Sequence, residues 1–348
     1  MKRELDFRYT ILRNGADYCT IDPVTGTMPT ITMLDSGEIK TTLMGTFYDP
    51  GNRVDWLTDE IQPVIIIDGV PHKLGIYLPG TVEHFEDDTS KTVTIEAYDR
   101  CWRVQTRCAE TLRFFAEGLN YLDVAVSLLT DAGITSVAKV NTDHSLTEDR
   151  EDWNIGTSNL SIVNELLGEI NYKQLWFDAD GAARLEPAAQ MNAEHIQHTF
   201  DDTNVRSLMI PGIRKSTDIY AAPNVFLCVC SNADKSSPMT AIAENTNPQS
   251  PLSLARRKRR ITQVVNVNNI ASQAELLVYA KRLVTDSMMR GETINVETCL
   301  LPGFGVNDVV GIRYGDYMAI CVERAWTMNL GVGGTMQHTL ERVIINAE

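Results

Sequence analysis

Two histidines three residues apart come closest to the spacing of a metal site. His195 and His198 lie in the sequence AEHIQH, where a helix would place both imidazoles on one face beside Glu194. Imidazole and carboxylate groups at such spacings bind zinc. The sequence has no HExxH motif and no third ligand nearby at a helical spacing. We therefore predict a solvated turn between domains at this segment, with no metal and no cofactor.

Clustered carboxylates are the next candidates, because glycoside hydrolysis uses two carboxyl groups held apart across a cleft. Adjacency along the chain does not place two groups across a cleft. The sequence contains 46 acidic residues, so acidic clusters on a solvated surface are expected. We predict surface positions for these clusters, which are Glu86-Asp87-Asp88, Glu148-Asp149 with Glu151-Asp152, and Asp201-Asp202.

Motifs that activate a nucleophile are missing from the sequence, which contains neither a GxSxG elbow nor a P-loop. Cys101-Trp102 lacks the Gly-Ser context of a cysteine-peptidase nucleophile and follows a predicted strand, so we interpret Cys101 as a core residue. The seven cysteines are odd in number and scattered, which is no disulfide framework. Cys228 and Cys230 would share one face of a strand, and we predict buried free thiols. No catalytic residue is predicted, and we expect the protein not to be an enzyme.

Five adjacent cations are the one sharp electrostatic feature of a chain whose net charge is −15. Five neighbouring charges are expensive to bury, so they are exposed or paired with acids. Docking to an acidic partner, including an acidic patch on another copy of this chain, is the interpretation that we prefer. A solvated loop and a nucleic-acid contact stay open as alternatives. The predicted docking residues are Arg256, Arg257, Lys258, Arg259 and Arg260.

The composition excludes several classes of protein. A hydrophobic share of 43% in 348 residues is enough to form real cores, which excludes global disorder. The acidic balance disfavours general nucleic-acid binding and an anionic membrane surface. No apolar run approaches the length that spans a bilayer, and no apolar stretch follows the basic N-terminus. We therefore expect neither membrane insertion nor a secretory signal.

Both ends of the chain have the pattern of short antiparallel strands. β-branched and aromatic residues alternate there at period two and are punctuated by Gly and Pro. This pattern predicts a meander of about six strands in residues 1–98. It also predicts a run of strands from Gly291 to Ile345. The predicted fold class is therefore α+β, mostly antiparallel β.

A small α/β domain is predicted between these modules, in residues 99–200. Helices are expected at Asn120–Asp131, with Asn120 as N-cap, and at Asn159–Ile170, capped by Thr157 or Ser158. The last module, residues 201–348, is expected to carry an insertion at about 232–289. Within this module we predict a strand at Ile219–Ala222, a loop at Asn232–Leu254, and a helix that opens at the capping box Ser272-Gln-Ala-Glu275.

The order of these features resembles the phage tail baseplate hub or tail-tip hub family, found in contractile phages, R-type bacteriocins and some siphophages. The resemblance is carried by LMGTFYDP and PVIIIDGVPHKLGIYLPG near the start, by WNIGTSNLSIVNELLGEINYKQLWFDADGAARLEP in the middle, and by LPGFGVNDVVGIRYGDYMAICVERAWTM near the end. It implies two β-barrels of the tail-tube type flanking the small α/β domain. The first barrel would be 1–98, and the second 201–348 with its insertion.

The resemblance also implies a function. Three chains would form a ring of six barrels that adapts a hexameric tail tube, or a distal tail protein, to a trimeric spike or tip protein. Other baseplate proteins would be further partners, and DNA would only pass through the channel. The protein would be assembled in the bacterial host cytoplasm and reside in the virion or tail-like particle. We expect no appended peptidoglycan-cleaving domain. A host cell-wall hydrolase and a carbohydrate- or receptor-binding tail component are the alternatives.

Overall fold

The computed structural model describes residues 3–151, 153–188, 193–217, 222–230, 239–267, 273–289 and 292–343. Strand residues far outnumber helical residues in the described part of the chain, which confirms the predicted predominance of antiparallel β structure. The described strands do not form a fully closed barrel, so the two flanking barrels stay a prediction. None of the described helices combines the length and apolar character that crossing a membrane demands.

The elements are numbered along the chain. The described helices are α1 Cys101–Thr106, α2 Tyr121–Asp131, α3 Asn159–Glu169, α4 Leu254–Arg257 and α5 Gln273–Met289. The described strands are β1 Leu5–Arg13, β2 Ala16–Ile21, β3 Thr30–Leu34, β4 Thr41–Tyr48, β5 Glu60–Ile67, β6 Val70–Lys73, β7 Tyr77–Glu86, β8 Lys91–Asp99, β9 Val137–Lys139, β10 Trp176–Phe177, β11 Ala183–Leu185, β12 His198–Asp201, β13 Met209–Ser216, β14 Val225–Cys230, β15 Met239–Glu244, β16 Thr262–Val267, β17 Thr293–Cys299, β18 Val309–Tyr314, β19 Tyr317–Asn329 and β20 Thr335–Val343.

The chain divides into two compact units, each built from several segments. Unit 1 comprises Met1–Gln190, Thr298–Asn307 and Arg324–Gln337. Unit 2 comprises Met191–Glu297, Asp308–Glu323 and His338–Glu348. The three domains expected from the sequence are a finer division and stay a prediction.

The strands of unit 1 form an antiparallel meander in the order β3-β4-β8-β7-β5-β1-β2, with β6 on β5. Its core is apolar and includes Ile31, Phe47 and Ile65, none of them exposed to solvent. After β2 the chain returns to β4, where Tyr48 N donates to Asp22 O and Val24 N donates to Thr46 O, both at 2.9 Å. The hairpin β1-β2 was not expected from the sequence.

The predicted helices of unit 1 are present and begin where their capping residues indicate. The Asn120 side chain accepts a hydrogen bond from Leu122 N, and Ser158 Oγ accepts one from Ser161 N. These caps satisfy backbone donors that have no partner within the helix. Helices α1, α2 and α3 pack with the small sheet β10-β11-β9 around a second core. Helix α1, which starts at Cys101, is an element that the sequence pattern did not indicate.

Unit 2 contains a small three-stranded sheet in the order β15-β14-β16, in which β14 and β16 run parallel. Helix α5 packs on one face of it, against Phe226, Cys228 and Cys230. The predicted loop at Asn232–Leu254 is wrong in part, because β15 occupies Met239–Glu244 and pairs along the whole of β14. Residues 219–221 of the predicted strand and Ser272 of the predicted capping box lie outside the described residues.

Candidate docking surface

The basic run Arg256–Arg260 begins on a single helical turn and continues into the loop before β16. Ser253 caps the turn, its Oγ accepting a hydrogen bond from Arg256 N at 3.4 Å. Lys258 ends it in the left-handed region with φ 53°. Arg256 and Lys258 through Arg260 are exposed, and Arg257 is half-buried. The cations therefore project from a fixed backbone and are accessible to a partner.

The fully buried side chain of Asn224 holds the backbone of this segment by hydrogen bonds. Its Nδ2 donates to Arg259 O at 2.9 Å and to Leu252 O at 3.3 Å. Its Oδ1 accepts a hydrogen bond from Ile261 N at 2.8 Å. One amide therefore satisfies backbone groups on both sides of the basic run, which otherwise would have been buried without partners.

A second buried amide supports the approach to the run. Asn245 Nδ2 donates to Ser250 Oγ at 3.0 Å, and the Asn245 carbonyl accepts a hydrogen bond from Leu254 N at 3.0 Å. Asn245, Ser250 and Ser253 have no exposed surface. No sequence motif distinguishes Asn224 and Asn245. Their positions at strand ends are consistent with turn residues, but their partners lie far away in the sequence.

Arg257 and Arg260 contact other parts of unit 2. The Arg257 guanidinium donates to the Ala222 carbonyl. Arg260 Nη2 lies 2.6 Å from Glu244 Oε1, in an ion pair whose Arg260 side chain is 55% exposed. An ion pair so open to solvent contributes little to stability. Within the described part of the chain, Arg256 and Lys258 have no ion pair. The docking role of the five cations stays a prediction.

The two histidines lie in different elements and lack the helical arrangement that would put them on one face. His195 ends a short 3-10 helix, whereas His198 begins β12, so the two do not share a helical face. The His198 ring lies 4.9 Å from that of Phe200, and burial lowers its pKa. Among the described residues, no three His, Cys, Asp or Glu side chains are grouped as metal ligands would be.

The arrangement most like a catalytic pair joins His338 and Glu323 in unit 2, with His338 Nδ1 and Glu323 Oε2 2.8 Å apart. Burial raises the pKa of Glu323 well above its ordinary value and lowers that of His338 to about 3. Burial therefore favours the uncharged form of each group. Phe200 packs against His338 with ring centroids 4.8 Å apart. Both side chains have no exposed surface, so a substrate has no access to them.

The acidic clusters mainly close turns. Asp87 and Asp201 accept hydrogen bonds from residues two positions later, and these hydrogen bonds lower the pKa of each carboxyl. Asp149 Oδ1 accepts a hydrogen bond from Glu117 N at 2.8 Å. Asp152 lies outside the described residues. These hydrogen bonds give Asp87, Asp149 and Asp201 a structural role that requires no catalytic cleft.

The predicted structural cysteines lie in cores. Cys101 has no exposed surface, and burial raises the pKa of its thiol well above the ordinary value. Cys228 and Cys230 are buried on the same face of β14, as the strand spacing predicted. A thiol whose protonated form is favoured is a poor nucleophile.

An open groove of about 700 Å³ lies in unit 2 beside β12 and β18. Its charged lining includes Arg342 and Glu292, whose Nη1 and Oε2 are 3.0 Å apart. Tyr317 Oη also donates to Glu292 at 2.9 Å. Arg342 and Glu292 therefore satisfy each other, and neither requires a ligand.

No protein-family model and no curated protein matches the sequence, but solved structures match its fold. The tail protein from Neisseria meningitidis MC58 gives a TM-score of 0.70 at 13% identity and covers 96% of both chains. The 43 kDa tail protein of prophage MuSo2 from Shewanella oneidensis gives a TM-score of 0.68 at 10% identity, covering 96% of this chain and 98% of that chain.

A secretion-system protein has the same fold. The E. coli c3393 protein is a component of the type VI secretion system with structural similarity to the T4 bacteriophage tail proteins gp27 and gp5. It gives a TM-score of 0.51 at 8% identity, covering 99% of this chain and 77% of that chain. Identities this low show the fold alone. The resemblance to phage tail hub proteins predicted from the sequence is confirmed at that level.

Proposed function

We propose that this protein is a structural hub subunit of a phage tail or phage-tail-like particle. The observation that carries the proposal is the fold, which matches two tail proteins over 96% of this chain with TM-scores of 0.70 and 0.68. A match over 96% of this chain and at least 96% of each tail protein extends well beyond one small domain. Convergence on one small domain would not produce such a match.

In the proposed assembly three copies form a ring of six barrels, two from each chain. The meander of unit 1 supports the first barrel, because the chain after β2 returns by backbone hydrogen bonds to β4. The proposed domains are a barrel at 1–98, a small α/β domain at 99–200, and a second barrel at 201–348 with an insertion at about 232–289. Ring closure also covers strand edges, which would otherwise promote aggregation.

The ring would adapt a hexameric tail tube, or a distal tail protein, to a trimeric spike or tip protein. Other baseplate proteins would pack around it, and DNA would cross its channel without stable binding. The net charge of −15 supports this last step, because an acidic lumen would repel the DNA backbone. The particle would be assembled in the bacterial host cytoplasm.

The proposed role involves no catalysis by this chain. Its most enzyme-like pair, Glu323 and His338, is shielded from solvent on every side. Binding energy in such a hub comes from extended interfaces and strand edges. We also propose that the basic run Arg256–Arg260 belongs to one of these interfaces.

The test is the mass of the purified protein over a concentration series, measured by light scattering. We expect a trimer of about 116 kDa, three times the chain mass of 38.8 kDa, and ring-shaped particles with a central channel in negative-stain micrographs. Addition of the cognate spike protein should stabilise the ring. The proposal would be contradicted by a protein that stays monomeric at every concentration and does not bind the spike protein. Hydrolysis of purified cell wall by this protein would also contradict it.

A further inference from the structure

The outer face of the small sheet β15-β14-β16 carries an open row of apolar side chains. Leu227 pairs with Ile242 on one side and with Val264 on the other, so the three side chains point to the same face. Ile242 is 54% exposed and Val264 is 57% exposed. Helix α5 covers the opposite face. This outer row is therefore an apolar surface of unit 2 that no described residue of the unit encloses.

The basic run borders one end of the outer row. Arg260 is paired with Glu244, the last residue of β15. Glu244 lies opposite Val225 in the register, two residues from the Leu227 position and so about 7 Å away along the strand. Asn224 fixes the backbone of the run at the same end of the sheet. Apolar and cationic groups therefore form one continuous surface.

Unit 1 carries a surface with the same design and the opposite charge. Thr92 of β8 pairs with Tyr48 of β4 on one side and with Phe85 of β7 on the other. Tyr48 and Phe85 therefore share one outward face of the β4-β8-β7 sheet. Phe85 is 59% exposed and Tyr48 is 44% exposed. The hairpin beside them ends in exposed carboxylates, here called the acidic tip, which are Glu83, Glu86, Asp87 and Asp88.

We propose that the acidic tip of one copy docks on the outer row and basic run of the next copy. This proposal rests on the proposed assembly of the protein into a ring. Phe85 and Tyr48 would cover Ile242 and Val264, and the carboxylates would approach the cations. The two patches are different, so each copy uses one of each, and such head-to-tail contacts form a ring when the rotation between copies closes.

The charge distribution favours a second copy as the occupant. A chain with a net charge of −15 repels its own copies unless a local cationic patch meets an acidic one. Nowhere else does the sequence contain more than two adjacent Lys or Arg residues. The run is thus the longest stretch of adjacent cations that can attract the acidic remainder of an identical chain.

Charge reversal tests this contact. The first variant combines Arg256→Glu with Lys258→Glu, and the second combines Glu86→Lys with Asp88→Lys; all four side chains are exposed. We expect each variant alone to raise the dissociation constant of the trimer about tenfold or more, in sedimentation runs at low salt. We expect the fourfold variant to return to within about threefold of the wild type, because the pairs re-form with opposite polarity.

The control carries the same change of net charge at other exposed cations, Arg8→Glu with Lys73→Glu, and should leave the trimer intact. Circular dichroism verifies that each variant is folded. A wild-type trimer that tolerates both reversals would overturn this contact and leave the hub proposal standing. If the first variant weakens the trimer and the fourfold variant does not restore it, the basic run binds a different acidic surface. That result would also overturn the proposed contact. A wild type that stays monomeric would overturn the self-association itself.

Discussion

The basic run and the acidic tip present similar numbers of charges but are supported in opposite ways. The backbone of the run in unit 2 is held by hydrogen bonds to the side chain of Asn224, which has no exposed surface. The tip in unit 1 supports itself, because Asp87 Oδ1 accepts hydrogen bonds from Thr89 N at 2.8 Å and from Ser90 N at 2.7 Å. All of the groups at the tip are open or half-open to solvent.

The difference follows from the geometry of the two segments. A hairpin tip joins two strands whose register already fixes its backbone, so one aspartate is enough to close the turn. Five adjacent cations repel one another, and their backbone has no strand partner through most of the run. Buried amides then hold the segment, because a hydrogen bond away from water is costly to break. Substitutions that remove the support of the run should therefore destabilise the protein more than substitutions at the tip.

Asn224→Ala should have the largest effect. The change leaves Leu252 O, Arg259 O and Ile261 N without their amide partner in a buried setting. We expect a loss of about 3 kcal/mol in the free energy of unfolding, measured by urea denaturation. Assembly of the trimer should weaken as well, because the run loses its fixed backbone.

The matched control is Gln263→Ala, which removes an exposed amide from β16 nearby. It should change the free energy of unfolding by less than about 0.5 kcal/mol. Equal effects of the two changes would refute the buried support of the run.

Asp87→Ala should have a smaller, local effect. Hydrogen exchange in the peptide from Glu83 to Lys91 should accelerate at the turn, while the global unfolding midpoint changes little. Asp88→Ala removes a neighbouring carboxylate that has no described partner and serves as the control. Similar exchange in both variants would show that Asp87 does not hold the turn.

The support from Asp87 should also depend on pH. Hydrogen bonds from Thr89 and Ser90 lower the pKa of Asp87 below its ordinary value of 3.8. The folded turn thus favours the carboxylate, and its contribution is present above pH 3.8. Protection at the tip should persist at pH 5 and disappear as the pH falls through the lowered pKa. The Asp87→Ala variant should lack this transition.

Local sequence signals predicted the capped helices of unit 1 but missed its first hairpin. Asn120 and Ser158 cap helices through neighbours only a few positions away. The turn Asn14-Gly15 is an equally local signal, with φ values of 53° and 78° that favour these two residue types. The sequence LDFRYTILR also alternates apolar and polar residues from Leu5 to Ile11, so this hairpin could have been predicted from local signals.

The docking surface was predictable only in part. Adjacent cations are expensive to bury, so the exposure of the run followed from its composition. Its support did not, because the partners of the Asn224 side chain lie 28 to 37 residues later in the chain. Prediction of the outer row would require knowing that Leu227 pairs with Ile242 and Val264. That pairing depends on the strand order β15-β14-β16, which cannot be derived from the alternation of each strand alone.

Arg260→Ala should have the smallest effect on stability. The variant tests whether the run is held by its ion pair or by the hydrogen bonds of the buried amides. The pair with Glu244 is exposed, so solvent and salt screen it. We expect a double-mutant cycle with Glu244→Ala to give a coupling energy below about 0.5 kcal/mol at physiological salt. A coupling above about 1 kcal/mol that vanished at high salt would instead mean that ion pairing holds the run. If the coupling is small, the Arg260 charge is available to a partner rather than needed by the fold.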